Sequence, residues 1–369
     1  MGVKMKIVKK FLKGIVKLLV VLLILLILLV VGLFIYHRIM ISKNRAFLQE
    51  KGFCELASAG DYSLNVQKTG NVDGKHRIIV LSGAGPCYRF FMKKFAENFQ
   101  ENNEVIFLSR PGYDGSDDTK DAMTVERVVE NYRTALENAG VEKPYVLMPH
   151  SLGSLYASYW VSKYPDEIEA LVNLDGTYPA PITDPKLHSG KNMFYYLANL
   201  GVGDVAFHLF IPKDPELSAD EQRAYDIMYV STLASDALCS EGENIDVNIN
   251  AAWESLTPND VPKMYLSFRD GFRTAEEVQE YFEASGHKQD FIAENSEDFT
   301  GSETDREAYA CRKYLDQVTE NRSKELEPFV EKLGNCEIRY LPGDHFLYED
   351  KPKECAEIVQ DFLNGLDGN

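Results

Sequence analysis

From Leu18 to Tyr36 the chain runs through 19 residues without a charge, nearly all Leu, Ile or Val. At about 1.5 Å per helical residue such a run spans roughly the ~30 Å hydrocarbon layer of a bilayer. Lys4, Lys6, Lys9, Lys10, Lys13 and Lys17 precede it, and only Arg38, Lys43 and Arg45 follow before residue 46. That bias predicts a cytoplasmic N-terminus and an extracytoplasmic remainder. A cleaved leader would have a shorter apolar stretch ending in small residues. Here Tyr36, His37 and Arg38 follow instead, so the segment 1–45 is read as a retained, single-pass signal-anchor in the cell membrane. Gly2 is not a myristoylation site, because Lys6 stands where Ser or Thr is required.

The anchor separates the charges. All 57 acidic residues lie beyond residue 45, against 30 Lys and Arg there, a net −27 with His neutral. A domain so acidic is repelled by nucleic acid and anionic surfaces, which excludes a nucleic-acid partner. Cys54, Cys87, Cys239, Cys311, Cys336 and Cys355 form no C-x-x-C pair. Zinc-site spacing is therefore missing, and both disulfides and buried thiols stay open.

Beyond residue 53, short β-rich runs alternate with helical stretches, which predicts an α/β fold with a mostly parallel sheet covered by helices on both faces. Tyr62 to Thr69 reads as an edge strand. Arg77–Leu81, Glu104–Ser109, Tyr145–Met148, Ala170–Leu174, Lys263–Phe268 and Cys336–Leu341 read as further strands. Helices are expected over Thr124–Ala139, Leu152–Lys163 and Lys353–Leu363, the first stopping at Gly140. The alternation breaks over about 178–260, an aromatic, helical insertion expected to act as a lid, and again over about 271–333, a polar helical one. The whole of 46–369 is read as one domain.

Pro149-His150-Ser151-Leu152-Gly153 falls between a strand and a helix. A serine on so tight a turn exposes its hydroxyl at the sheet's carboxyl edge, beside a helix N-terminus that favours an oxyanion. Four further segments carry a likeness to a known family. Leu81-Ser82-Gly83-Ala84-Gly85-Pro86 resembles the oxyanion loop of the α/β-hydrolase family, usually His-Gly-x-x-Gly. Arg110-Pro111-Gly112-Tyr113-Asp114-Gly115-Ser116 resembles its Arg-Pro-Gly-Tyr-Gly-x-Ser loop. Tyr164-Pro165, with Ala170 to Asp175, is similar to the stretch after the nucleophile helix. Leu341-Pro342-Gly343-Asp344-His345-Phe346 is similar to the segment bearing the catalytic histidine. Two departures stand out: Pro149 replaces the first small residue of the elbow, and Ser82 replaces the usual His.

The resemblance implies an α/β-hydrolase fold with a helical lid and a serine hydrolase or esterase with Ser151 as nucleophile and His345 as base. Asp270, in Ser267-Phe268-Arg269-Asp270, matches the family's acid position after a late strand, and Asp175 is the alternative acid. Backbone N–H groups of Ala84 and Leu152 would form the oxyanion hole. His150 is expected to be a satisfied structural histidine pointing to a helix-packing site. No metal or organic cofactor is implied, and the partner is a small acyl substrate. A serine at the elbow argues against dehalogenase or epoxide-hydrolase chemistry, for which the family uses Asp. Ester hydrolysis leads. Prolyl-type aminopeptidase activity is an alternative that needs a carboxylate such as Glu216, Asp220, Glu221 or Asp226 for a free α-amine. A catalytically silent hydrolase-like binding module is the alternative of another class.

Overall fold

In the computed structural model, residues 2–211 and 213–366 are described, and the side chains of residues 2–7 and 208 are not. The strands form where the sequence is continuously apolar. β1 is Leu56–Ser58, β2 Ser63–Gly70, β3 Arg77–Leu81, β4 Glu104–Leu108, β5 Tyr145–Pro149, β6 Ile168–Leu174, β7 Lys263–Ser267 and β8 Cys336–Tyr340. They make one eight-stranded sheet in the order β1-β2-β4-β3-β5-β6-β7-β8. β1–β2 and β2–β4 are antiparallel. The pairs from β4 through β8 are parallel. β2 is not the edge expected for residues 62–69, because the three residues of β1, too few to show a pattern in the sequence, pair outside it.

Parallel strands are buried on both faces, and alternate residues here feed two cores. Ile79, Leu81, Ile106, Leu108, Leu147 and Leu171 pack against helices α4 (Val125–Asn138) and α5 (Gly153–Lys163), meeting Val128, Tyr132, Leu155 and Trp160. Ile78, Val80, Val105, Phe107, Val146 and Val172 face the other way, onto Phe95, Phe99, Val359 and Phe362. The last two belong to the C-terminal helix Pro352–Leu366, and Phe95 to Lys93–Glu97. Each such side chain contributes about 1.5–3 kcal/mol through burial. α4 is capped by Thr124, whose side chain accepts from Arg127 N–H. It stops before Gly140, which takes φ +69°, a left-handed conformation that glycine adopts without a Cβ clash.

The insertion between β6 and β7 is helical as expected, with Met193–Asn199, Val202–Ala206, Ala219–Leu233, Asp236–Glu243 and Ile245–Ser255. The segment between β7 and β8 holds Ala275–Ser285, Lys288–Asn295, Glu303–Asn321 and Glu327–Leu333, gathered on a small core of Phe272, Val278, Phe291, Ala310 and Cys311. The chain divides into two compact units. One is Met1–Phe53 with Lys191–Ala234; the other is Cys54–Gly190 with Ser235–Asn369. The first insertion is thus shared between them.

Gly2–Glu50 is a single helix, α1, far longer than the apolar run. It is long and apolar enough to cross a membrane, and its side chains from Val8 to Gly32 are all exposed. Of the six cysteines, all but Cys336 are buried.

Candidate active site

β5 ends at Pro149, and α5 begins at Gly153. Between them Ser151 has φ +51°, a conformation that costs a non-glycine residue about 1–3 kcal/mol and persists only where the surroundings enforce it. Three bonds enforce it here. His150 N–H donates to the Leu81 carbonyl at 3.0 Å, and the Ser151 carbonyl accepts from Ser154 N–H at 3.0 Å and from Thr177 N–H at 2.9 Å. A Cβ at Gly153 would lie 2.6 Å from the Leu81 carbonyl oxygen, so the second small position of the elbow is a steric necessity. Pro149 is accommodated because the donor beside it, His150 N–H, continues the ladder to β3.

The loop after β3 lies against this turn. A Cβ at Gly83 would overlap the Tyr88 hydroxyl and come 2.7 Å from Ser151 Cβ. The loop is held from behind by Arg110, which is wholly buried. Its Nη1 donates to the Ser82 carbonyl and its Nη2 to the Gly83 carbonyl, each at 2.6 Å. Arg110 Nε is 2.7 Å from Glu241 Oε1. The hydroxyls of Tyr113 and Tyr156 donate to the same carboxylate. Burial by itself would lower the arginine's pKa, but the Glu241 charge outweighs it and holds the guanidinium firmly protonated. The sequence shows Arg110 only as part of a motif. That it binds the neighbouring loop's carbonyls was not readable, because Glu241 lies in the insertion 131 positions away.

His345 follows β8, and its Nδ1–H donates to Asp175 Oδ2 at 2.7 Å. Asp175 directly follows β6, takes φ +41° and is fully buried. Its Oδ1 accepts from Phe268 N–H at 2.9 Å and Arg269 N–H at 3.2 Å, and Oδ2 also accepts from Arg269 Nε at 2.7 Å. Burial would raise its pKa, but the His345 hydrogen bond and the Arg269 charge overcome that and set it below the ordinary aspartate value. An ionised acceptor fixes the proton on Nδ1 and leaves Nε2 with a lone pair.

Of the two aspartates expected as the acid, the structure brings Asp175, the alternative, onto His345 and places the Asp270 carboxyl on Ser267 instead. After β7 the chain makes a single 3₁₀ turn, Arg269–Gly271. This turn directs the Phe268 and Arg269 amides at Asp175 and leaves the Asp270 side chain on Ser267 Oγ, at 3.3 Å. Arg322 takes the Asp270 carbonyl through Nε at 3.1 Å and Nη2 at 2.6 Å. Burial first, and then the Asp175 charge, push the Asp270 carboxyl up to about 6.

His150 is a buried, satisfied histidine as expected, but not at a helix-packing site. It is sandwiched between Tyr88, which opens the short helix Tyr88–Phe91, and the loop that carries His345. Its Nε2 lies 2.9 Å from the His345 carbonyl and its Nδ1 2.9 Å from the Tyr88 hydroxyl. The ring centroids of His150 and His345 are 4.4 Å apart. Burial pushes its pKa down to about 3, so the ring is neutral. Nε2 must donate to the carbonyl and Nδ1 accept from the tyrosine. Leu152, buried, opens the helix after Ser151, and Ala84, exposed, follows Gly83.

Residues 77–200 match the family model described as the alpha/beta hydrolase fold. The chain is 27% identical over 353 residues to the uncharacterized protein YbdG of Bacillus subtilis (strain 168), covering 90% of this chain and 92% of that one. Among solved structures it is similar to the haloalkane dehalogenase DatA from Agrobacterium tumefaciens C58, with TM-score 0.55, 13% identity and coverage of 85% and 96%. It is also similar to an enol-lactonase from Burkholderia xenovorans LB400, with TM-score 0.50, 12% identity and coverage of 84% and 100%. A parallel sheet wrapped by helices, a left-handed serine between strand and helix and a histidine loop after the last strand agree with these likenesses: the chain has the α/β-hydrolase fold.

Proposed function

We propose that the protein is a membrane-anchored serine hydrolase that cleaves a carboxylic ester through an acyl-enzyme. The observation that carries this is the pairing of Ser151, at φ +51° beside Gly83, with a His345 whose Nδ1 is held by Asp175. In this reading the free Nε2 of His345 takes the Ser151 proton as the hydroxyl attacks the substrate carbonyl. The Ala84 and Leu152 N–H groups stabilise the oxyanion, the first because Arg110 draws the carbonyls of Ser82 and Gly83 the other way. The alcohol leaves with that proton, and His345 then activates water to release the acid. Asp175 stabilises the imidazolium formed in each step and stays ionised. Ser151 at the elbow separates this chemistry from that named for the dehalogenases of similar fold. α1 carries the enzyme, with residues 18–36 across the membrane, the N-terminus in the cytoplasm and the remainder outside. The basic residues before the run, of which Lys9, Lys10, Lys13 and Lys17 are exposed, and the uncovered apolar helix support that placement.

The test is fluorophosphonate labelling of the full-length protein in vesicles beside Ser151→Ala and His345→Ala. Labelling of the wild type that disappears in both variants, with the adduct mapped to Ser151, is the expected result. A folded wild type that fails to label, or one labelled elsewhere, would overturn the serine-hydrolase reading.

A further inference from the structure

Met193 to Ile211 is an anomaly in a strongly acidic chain: apart from His208, its only ionisable acid or base besides the tyrosines is Asp204. The stretch folds as helices α6 (Met193–Asn199) and α7 (Val202–Ala206) and a 3₁₀ turn, Phe207–Leu209. Its large apolar side chains point into solvent, with Met193 68%, Phe194 52%, Leu209 71% and Phe210 81% exposed. Tyr196 and Val205 are also exposed. Apolar side chains clustered this densely on a soluble surface mark a binding face.

Where this face sits in its unit says what covers it. Gly201, at φ +83°, packs its backbone on α1 so closely that a Cβ would overlap the Leu33 carbonyl oxygen. Asp204 Oδ2 lies 2.6 Å from Nδ1 of His37, and both side chains are about nine-tenths buried. α7 therefore docks on the last turn of the apolar run, over a height of about 6 Å at the helical rise. Two polar side chains at that depth satisfy each other, as polar groups entering hydrocarbon must.

We infer that the apolar face of residues 193–210 lies in the outer interfacial layer of the bilayer that α1 crosses, with its occupant the acyl-chain boundary of the lipid leaflet. The inference rests on the reading of α1 as a retained anchor. A short amphipathic element beside a spanning helix buries its apolar face about 5–10 Å into the boundary between headgroups and acyl chains. The Phe, Tyr, Leu and Met side chains here suit that region, and the stretch supplies no carboxylate except that of Asp204, which is hydrogen-bonded to His37.

The experiment uses the full-length protein in phosphatidylcholine vesicles doped with a phospholipid carrying a diazirine in its acyl chain. Cross-linked peptides are mapped after photolysis. The expected result is labelling of the peptide covering 193–211 within about threefold of that on 18–36, and about tenfold or more above a core peptide such as Val125–Asn138. Labelling of 18–36 without 193–211 would overturn the inference and leave the anchor standing. Labelling of neither would overturn both. Labelling of 193–211 that falls as protein density in the vesicle rises would show a second copy covering the face, and would also overturn it. The variant Phe194→Asp/Leu209→Asp/Phe210→Asp, still anchored by α1, is expected to lose the 193–211 labelling alone.

Discussion

Two aspartates stand at the carboxyl ends of neighbouring strands, Asp175 after β6 and Asp270 three residues beyond β7, and their environments have driven them apart. Asp175 accepts from two backbone amides, Arg269 Nε and His345 Nδ1. Asp270, 5% exposed, has among the described residues one side-chain donor, the Ser267 hydroxyl at 3.3 Å, and gives its backbone carbonyl to Arg322. Charge-assisted bonds favour the ionised form, whereas burial without them favours the neutral one. One carboxyl is accordingly lowered and the other raised to about 6. An acid that must stabilise a transient imidazolium has to be ionised at working pH, and Asp175 meets that condition more securely. In the proposed mechanism the role falls to the carboxylate on which the loop amides converge, rather than to the one that matches a motif.

The sharpest way to break this comparison is to neutralise each aspartate in turn. Asp175→Asn is expected to lower ester turnover about 10³- to 10⁴-fold, because the amide leaves the imidazole in the wrong tautomer. Asp270→Asn is expected to change it by less than about threefold, since nothing joins that carboxyl to His345. Steady-state rates on a soluble acyl ester, with circular dichroism to confirm folding, would check both. A reversed order would return the acid to Asp270.

The contrast also marks what a sequence can disclose. The strand–turn–helix around Ser151 and the loop around His345 are local, so alternating apolar runs and glycine positions such as Gly153 announce them, and most strand ends fall within one or two residues of the observed ones. The acid is not local. Adjacent parallel strands are about 4.8 Å apart, and both carry an aspartate near the same edge. The choice turns on a three-residue turn, Arg269–Gly271, whose amide directions no composition or periodicity encodes. The same holds for Glu241 behind the loop that follows β3. It holds too for the docking of Gly201 and Asp204 on α1, where His37 and its partner are 167 positions apart.

Arg269 offers a milder perturbation, because its guanidinium shares Asp175 Oδ2 with His345. Arg269→Gln removes a positive charge beside the proposed base and so favours the imidazolium. The acid limb of kcat/KM against pH should move up by about 0.5–1 unit, moderated by solvent because the arginine is half exposed. At a pH below that limb the variant should be several-fold slower than wild type, and on the plateau nearly equal. A limb that stays in place would mean that the Arg269 charge is not felt at the proposed base.

Stability should separate the two aspartates as well. Asp270 has its folded-state pKa raised, so between about pH 4 and pH 6 the native state binds more protons than the unfolded state, and stability falls as pH rises through that window. Asp175, with its pKa lowered, contributes stability that is present above the unfolded aspartate value of about 4 and is lost as pH falls through its own folded pKa. Asp270→Asn should therefore stabilise the protein at pH 7.5 by on the order of 1–2 kcal/mol and flatten its denaturation midpoint between pH 4 and pH 6. Urea titrations across that range would show it, and an Asp270→Asn protein less stable than wild type at pH 7.5 would refute the burial-raised pKa of this carboxyl.

The smallest change acts on the only side-chain donor that Asp270 has among the described residues. Ser267 Oγ is 3.3 Å from Asp270 Oδ2 and buried with it. A bond that long to an ionised acceptor contributes about 0.5 kcal/mol or somewhat more, and it works against the burial that raises the pKa. Ser267→Ala should therefore push the Asp270 titration further up by a few tenths of a unit, which the pH dependence of stability would register in the difference from wild type. Turnover should stay within twofold, because Ser267 lies on Asp270's side of the pair and the donors to Asp175 come from Phe268, Arg269 and His345. A large loss of turnover in Ser267→Ala, with folding intact, would mean that the two carboxylates are not separate devices, and that Asp270 helps to hold the loop whose amides fix Asp175.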